Sequence, residues 1–297
     1  MKGLICAGGT ATRLEELTRV TNKHLLPVGR WPMVYYPLQL LQRIGVHEVL
    51  LVTGKQHAGD FIDLLGDGRV SARSSREPLF DIDLSYKVQV EPGGIAQVVG
   101  MARDFARGEK LVVCLGDNIF ENAQADAIAG WDDGAMVFVR EVDDPVSFGV
   151  VAYDESGGVA DIVEKAGVVD LRYPEPPSRD AVVGLYCYPQ DVYEIIDSLE
   201  PSGRGELEIT DVNREYARRG ELSVCRVDGW WHDGGKHWGD LADVLGEHLA
   251  GVAVEHYDPH HPLQAEEEVV LPSLVVVEAT DHALPRRGEV RLANRLR

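Results

Sequence analysis

The first half of the chain alternates short apolar runs with stretches in which apolar residues recur at helical spacing. Five runs have the length of strands: Gly3–Ala7, Glu48–Thr53, Leu84–Val90, Lys110–Leu115 and Ala135–Val142. Between them, Pro32–Ile44 and Ile95–Phe105 have the period of helices that pack on one face. This order predicts βαβ units, and therefore an α/β fold with a mainly parallel sheet and helices on both of its faces.

After this region the apolar runs follow one another more closely. Phe148–Tyr153, Val159–Val163 and Ala181–Tyr188 are separated by short polar segments, which predicts a more antiparallel region. The other expected elements are helices at Asp191–Leu199, Glu208–Arg218 and His237–Ala250, strands at Leu222–Val227 and Val269–Val277, a basic tail after the last strand, and loops at Gly66–Arg76 and Tyr173–Asp180.

The composition is that of a globular protein, because 44% of the 297 residues are hydrophobic and 26% are charged. Asp and Glu number 49 against 29 Lys and Arg, which gives a net charge of −20. Such an excess repels polyanions, so we expect no binding to nucleic acid. No window approaches about 18 uncharged apolar residues, so we also expect no membrane span.

Cysteine usage points to a reducing compartment. The four cysteines are Cys6, Cys114, Cys187 and Cys225. Each lies in a short apolar run, and the sequence contains no CxxC pair. We therefore expect buried free thiols. Because the apolar stretch at the start of the chain is far shorter than a signal peptide, the expected location is the cytoplasm.

Candidate phosphate contacts follow the first predicted strand. In open α/β sheets, ligands bind beyond the carboxyl ends of the strands. Gly8-Gly9 would let the backbone approach a phosphate there, and Arg13 could hold two of its oxygens. The alternative is an ordinary tight turn. Lys23 could supply a second cation, although most lysines are solvated surface residues.

Carboxylates follow other predicted strands. Asp117, in the run Leu115-Gly116-Asp117-Asn118, could hold Mg²⁺ or could cap the next helix. Asp233 could complete a metal site of two carboxylates with it. A zinc site at His232 and His237 is disfavoured, because no third ligand recurs at a useful spacing.

Glu164-Lys165 ends a further predicted strand. Adjacent opposite charges often form a surface ion pair of little energetic value. In a functional site, Glu164 would accept hydrogen bonds from sugar hydroxyls and Lys165 would neutralise a phosphate.

Taken in order, these segments resemble the sugar-1-phosphate nucleotidyltransferase family, and most of all its glucose-1-phosphate thymidylyltransferases. The resemblance is collinear from about Met1 to Leu249. It is carried by GGTATRL, NKHLLPV, PMVYYPL, GGIAQ, LGDNIF, SFGVV, VEK, GLY, GELEITDVN and WHDGG. It implies a Rossmann-like domain over residues 1–250 that includes a smaller, β-rich sugar-binding insert, and leaves residues 251–297 as a C-terminal extension of unknown role.

The resemblance also implies a reaction and the residues that perform it. A sugar 1-phosphate attacks a nucleoside triphosphate, here dTTP, in line and without a covalent intermediate, and pyrophosphate leaves. The expected catalytic residues are Arg13, Lys23, Asp117, Lys165 and Asp233, with Mg²⁺ on Asp117 and Asp233. The expected nucleotide-binding residues are Gly8, Gly9, Thr10, Thr12, Arg13, Lys23, Gln89, Gly94 and Asn118. The expected sugar-binding residues are Gly149, Glu164, Lys165 and Val182. The family further implies a homo-oligomer, commonly a tetramer.

Several residues depart from the family pattern. Ala11 stands where a glycine is usual, Glu15 and Glu16 lie beside the expected triphosphate, and Phe148 replaces a tyrosine. The expected charged residues are all present, so we expect an active enzyme. The alternatives are the same chemistry with UTP or another sugar 1-phosphate, and a non-catalytic protein that binds a nucleotide sugar and regulates a partner.

Overall fold

The structure, a computed structural model, describes residues 1–9, 18, 20–29, 31–70 and 79–235. The helix expected at His237–Ala250, the strand at Val269–Val277, the basic tail and the boundary at 250/251 lie outside these residues. So does the later part of the loop at Gly66–Arg76. These expectations stay predictions.

A mixed sheet forms the centre of the described chain. Its strands are β1 (Lys2–Ala7), β4 (Glu48–Gly54), β5 (Asp83–Gln89), β6 (Leu111–Leu115), β8 (Ala135–Glu141), β9 (Gly149–Tyr153), β10 (Val159–Glu164), β11 (Asp180–Tyr188) and β12 (Leu222–Arg226). Two small ribbons lie apart from it: β2 (Pro27–Val28) with β3 (Trp31–Pro32), and β7 (Asn118–Phe120) with β13 (Trp231–Asp233).

The strand order joins a parallel half to a half that is antiparallel except for the pair of β8 and β12. It runs β10-β9-β11-β6-β1-β4-β5, and β8 pairs with both β11 and β12. The pairings of β1 with β4 and β6, and of β4 with β5, are parallel. Strand β11 is antiparallel to β6, β8 and β9. The α/β class, the parallel pairing of β1, β4, β5 and β6, and the more antiparallel second half are therefore confirmed. Strand β8, which was expected among these parallel strands, instead pairs antiparallel with β11 and parallel with β12.

Helices cover both faces of the sheet. They are α1 (Tyr35–Arg43), α2 (Ala58–Leu65), α3 (Ile95–Met101), α4 (Arg103–Ala106), α5 (Ala125–Ala129), α6 (Val192–Ser198) and α7 (Ile209–Arg219). Strand β1 is buried along its whole length, as expected of a parallel strand covered on both sides. Its Leu4 and Cys6 face the core formed with α3, α6 and α7, and Ile5 and Ala7 face the core formed with α1, α2 and α5.

Three elements differ locally from the sequence expectations. The helix expected from Pro32 begins at Tyr35, because Trp31–Pro32 pairs with Pro27–Val28 as a ribbon. The helix expected over Ile95–Phe105 is interrupted at Ala102, between α3 and α4. Helix α2 was not expected, since it is only eight residues long and its apolar pattern is correspondingly short.

Cys6, Cys114 and Cys187 are buried, and all four cysteines are free thiols. Cys225 is only half-buried, because β12 lies at an edge of the sheet. Among the described strands, β8 is the one strand with which β12 pairs. Within the described ranges, no helix combines the length and the apolar character that crossing a bilayer requires.

Candidate active site

A cleft of about 410 Å³ opens where β1, β5 and β6 end and where β9, β10 and β11 pass beside them. Ligands bind at this edge in open α/β sheets. Ten residues predicted from the sequence line it together: Gly8, Gly9, Lys23, Gln89, Gly94, Asp117, Gly149, Glu164, Lys165 and Val182. Thr10, Thr12 and Arg13 lie outside the described residues.

Asp117 and Lys23 form an ion pair on the floor of this cleft. Asp117 follows β6, and its backbone is fixed by Gly234 N–H, which donates to Asp117 O at 2.8 Å. Burial acts to raise the pKa of the Asp117 carboxyl, but the charge of Lys23 and the hydrogen bonds to it outweigh burial and hold that pKa below its usual range. The carboxylate is therefore ionised at neutral pH.

Asp233 does not line the cleft but lies beside this pair, at the end of β13. Its register partner across the ribbon is Asn118, and its Oδ1 accepts Gly235 N–H at 2.9 Å. A Cβ placed on Gly235 would lie 2.7 Å from Asp117 Oδ2, 3.0 Å from Lys23 Nζ and 3.1 Å from Asp233 Oδ1. The missing side chain of Gly235 thus leaves a small space bordered by two carboxylate oxygens and an ammonium group.

This donor set fits Mg²⁺ and does not fit zinc. Mg²⁺ is usually held by one or two carboxylates, with water and substrate phosphates as its other ligands. Within the described part of the chain, no three His, Cys, Asp or Glu side chains come close enough together to hold a metal by themselves. His237, the partner of His232 in the disfavoured zinc site, lies outside that part.

Asn118 lies behind the cleft, although we expected it to contact the nucleotide. It is buried, and it does not line the cleft. Its Nδ2 donates to Asp117 Oδ1 at 3.0 Å, and its Oδ1 accepts Trp231 Nε1–H at 2.7 Å and Gly184 N–H at 2.9 Å. Asn118 thus orients the Asp117 carboxylate and ties β7 to β11 and β13.

One end of the cleft is built from glycines and an amide. Gly8 and Gly9 follow β1, and Gln89 ends β5. A Cβ on Gly8 would lie 2.9 Å from Gln89 Oε1, so the two residues are in close contact. Gly94 is the N-cap of α3 and has φ of +89°, and a Cβ there would overlap the carbonyl oxygen of Leu207. A larger residue would therefore displace the backbone at this end of the cleft.

The other end is organised around Glu164, the last residue of β10. Thr210 Oγ1, from the first turn of α7, donates to Glu164 Oε2 at 2.8 Å. Gly149 is the register partner of Glu164, and a Cβ on it would lie 3.1 Å from the same oxygen. Glu164 Oε1 lies 3.6 Å from Lys165 Nζ. One carboxylate and one ammonium group thus face the same end of the cleft.

An ion cluster fixes the loop that follows Glu164. Lys165 has φ of +44°, which is unusual for a side chain with a Cβ, and its N–H donates to Phe148 O at 3.0 Å. Five residues away, the buried Asp170 accepts hydrogen bonds from Arg172 and Arg214. Arg214 of α7 also donates to Ile162 O at 2.8 Å. The loop, β10 and α7 are therefore held together from outside the cleft.

Sequence analysis missed several cleft residues, although all of them lie in or next to the motifs NKHLLPV, GLY and GELEITDVN. These residues are His24, Tyr186, Arg204, Glu206, Glu208, Thr210 and Asn213. Burial lowers the pKa of His24 to about 3, so its ring is neutral. Arg204 donates to Glu208 with Nη2 at 2.9 Å from each carboxylate oxygen. Since this pair lines the cleft beside Glu164, the segment that joins α6 to α7 belongs to the site.

Comparison with known proteins identifies the family of the chain. Residues 2–247 match the family model described as Nucleotidyl transferase. The chain belongs to this family. A glucose-1-phosphate thymidylyltransferase of Neisseria meningitidis serogroup A is 40% identical over 244 residues, which are 80% of this chain and 79% of that protein. One from Actinoplanes sp. is 40% identical over 250 residues, which are 82% of this chain and 76% of that protein.

Solved structures of this nucleotidyltransferase family share the fold. The crystal structure of a Bacillus anthracis protein in complex with a sucrose superposes with a TM-score of 0.72. It is 40% identical, and the match covers 83% of this chain and 96% of that chain. The family, the Rossmann-like fold and the enzyme class expected from the sequence are confirmed.

Proposed function

We propose that this nucleotidyltransferase is a glucose-1-phosphate thymidylyltransferase, which joins glucose 1-phosphate to dTTP and releases pyrophosphate. One observation carries the proposal: a single cleft is lined by Gly8, Gly9, Lys23, Gln89 and Asp117 together with Glu164 and Lys165, and Asp233 lies beside Lys23 and Asp117. Such an arrangement can hold two phosphorylated substrates with their reacting groups between them. The relatives from Neisseria meningitidis and Actinoplanes carry the same name.

The nucleotide takes the glycine end. Gly8 and Gly9 allow the triphosphate to approach the backbone closely, and Lys23 offsets part of its charge. Gln89 presents an amide, and Gly94 a backbone, to the edge of the base. Arg13, Thr10 and Thr12 follow Gly9 in the sequence and complete the same phosphate contact in this proposal.

Glucose 1-phosphate takes the other end. Glu164, oriented by Thr210, accepts hydrogen bonds from sugar hydroxyls, and Gly149 leaves room for the ring. Lys165 attracts the phosphate of the sugar. Val182, on the neighbouring strand β11, supplies an apolar wall on the same side.

Bond formation then requires positioning more than proton transfer. An oxygen of the sugar phosphate attacks the α-phosphorus of dTTP, and the bond from that phosphorus to the pyrophosphate oxygen breaks. Because the attacking oxygen is already ionised, no residue has to act as a general base. Lys23 and Lys165 reduce the repulsion between the two anions and fix their approach.

Asp117 and Asp233 would hold Mg²⁺. The ion supplies charge neutralisation at the phosphates when it is bound. Asn118 keeps the Asp117 carboxylate oriented, and Lys23 balances its charge. The cytoplasmic location and the tetrameric state expected from the sequence remain predictions.

Pyrophosphate release tests the proposal. The purified protein is given Mg²⁺ and glucose 1-phosphate with dTTP, UTP, ATP, CTP or GTP in turn. We expect the fastest release with dTTP, and a loss of at least about 100-fold in Lys165→Met but not in Lys87→Met, whose lysine is exposed outside the cleft. Faster release with UTP would overturn the base assignment. No release with any nucleotide or sugar 1-phosphate would overturn the enzymatic function.

The stereochemistry of the product tests the in-line step. A dTTP analogue with sulfur on the α-phosphorus has a defined configuration at that atom. Direct attack predicts a dTDP-glucose analogue with inverted configuration. Retention of configuration would show two successive displacements through a nucleotidyl-enzyme, and would refute direct attack.

A further inference from the structure

We propose that Gln97 determines which end of the Gln89 side-chain amide faces the base, and so makes the site select thymine or uracil over cytosine. The inference rests on the proposed function, since it concerns the base of the nucleotide substrate. It assigns a specificity role to a residue that does not line the cleft.

The two amides are in direct contact. Gln89 ends β5, is 8% exposed and lines the cleft. Gln97 lies in the first turn of α3, behind it. Gln89 Nε2 donates to Gln97 Oε1 at 2.7 Å. Because Nε2 of Gln89 faces Gln97, its Oε1 lies on the side of Gly8. A Cβ added to Gly8 would lie 2.9 Å from that oxygen.

The orientation of an amide decides which pyrimidine it can read. Thymine and uracil have an N–H donor at N3 and an oxygen acceptor at position 4, whereas cytosine has an acceptor at N3 and an amino donor at position 4. A glutamine side chain has one acceptor and one donor group, and turning the amide by half a rotation exchanges them. A freely turning Gln89 would therefore read both kinds of base in the same pocket.

Gln97 opposes that rotation. If Gln89 turned alone, its Oε1 would face Gln97 Oε1, and two acceptors would meet without a proton between them. A joint turn of both amides would have to pass the Cα of Gly93, against which the Gln97 amide lies: a Cβ there would be 2.4 Å from Gln97 Nε2, 2.5 Å from its Cδ and 2.7 Å from its Oε1. The Gly93 backbone is fixed in turn, since Gly93 O accepts Leu207 N–H at 2.8 Å.

Substitutions at Gln97 separate orientation from packing. Gln97→Glu keeps an acceptor toward Gln89 Nε2 and should keep the amide in place. Gln97→Met has similar length and no acceptor of comparable strength, so it should release the rotation. Gly93→Ala should act in the same direction, because its methyl group would push the Gln97 amide away.

The assay measures kcat/KM for dTTP and for dCTP with saturating glucose 1-phosphate and Mg²⁺. We expect the dTTP-to-dCTP ratio to fall about 10-fold in Gln97→Met and in Gly93→Ala, about the effect of one neutral hydrogen bond, and to stay within about 3-fold of the parent in Gln97→Glu. Thermal unfolding of each variant checks that the fold is retained. A purely structural role of Gln97 would lower both rates together and leave the ratio unchanged.

Gln89→Met distinguishes failure of this inference from failure of the proposed function. If Gln89→Met lowers kcat/KM for dTTP while Gln97→Met leaves the ratio unchanged, Gln89 reads the base and the role of Gln97 is refuted. If the dTTP-to-dCTP ratio fell equally in Gln97→Glu and in Gln97→Met, the proposed role of Gln97 would also be refuted. If the parent releases no pyrophosphate with any nucleotide, both the proposed function and the inference are overturned.

Discussion

Replacing Asp117 by asparagine is expected to reduce stability as well as turnover. The Asp117 and Lys23 side chains are only 14% and 17% exposed. Removing one member of a buried ion pair costs about 3–5 kcal/mol, because the other charge is left without its partner. Since some exposure remains and Asp233 lies nearby, we expect Asp117→Asn to lower the free energy of unfolding by about 2–3 kcal/mol.

A second substitution separates the two effects. Lys23→Met combined with Asp117→Asn removes both charges, and should restore the free energy of unfolding to within about 1 kcal/mol of the parent. Turnover should not recover, because neither the carboxylate for Mg²⁺ nor the cation for the phosphates is restored. We expect at least about a 100-fold loss of turnover in the single and in the double variant.

Two measurements test this pair of expectations. Urea unfolding, followed at one protein concentration with EDTA present, gives the free energy and its dependence on urea. Pyrophosphate release at saturating Mg²⁺ and substrates gives turnover. Asp132→Asn, at an exposed position outside the cleft, is the matched control. Unchanged unfolding of Asp117→Asn would refute the buried pair, and near-normal turnover would refute the metal assignment.

Three further predictions concern other parts of the fold. Thr210→Val removes the donor to Glu164 and should raise the KM for glucose 1-phosphate about 10-fold, whereas Thr210→Ser should not; an equal rise in the KM for dTTP would contradict this. Hydrogen bonds from Arg172 hold the pKa of Asp170 below its usual range, so its stabilising effect is present above the unfolded pKa of about 4 and disappears as the pH falls through the lowered pKa. The difference in unfolding free energy between the parent and Asp170→Asn should therefore shrink below about pH 4, and a difference that grows there would refute it. Cys114→Ser buries a hydroxyl and should cost about 1–3 kcal/mol with turnover unchanged at low temperature; loss of turnover with normal unfolding would contradict the role of a buried structural thiol.

The long elements of the fold were predictable because their patterns are long. The β1 run is continuously apolar, and the structure buries it on both faces, as parallel strands require. The ribbon of β7 and β13 was not predictable, since each strand has three residues and their pairing joins segments more than a hundred residues apart. Such short strands are specified by tertiary contacts and leave no period in the sequence.

The site was predictable to the extent that its charged residues stand at strand ends. Asp117 follows β6 and Glu164 ends β10. The topology brings both residues to one cleft. The position of Asn118 was not predictable, because one step along a strand turns a side chain to the opposite face. Thr210 stood within a recognised motif, but its contact with Glu164 depends on how α7 packs on β10.

The backbone hydrogen bonds that join Leu207 to Gly93 and to Ala96 have a consequence for the energetics of binding. Gly93 O accepts Leu207 N–H, and Leu207 O accepts Ala96 N–H at 3.2 Å, so the turn beside Gln89 is joined to the segment that carries Arg204 and Glu208. A ligand that moved one of these segments would have to move the other or break these hydrogen bonds. Coupling of this kind is reciprocal. If the first ligand changes the affinity for the second by some factor, the second changes the affinity for the first by the same factor. Any coupling between ligands at these two segments would therefore pass through two peptide hydrogen bonds.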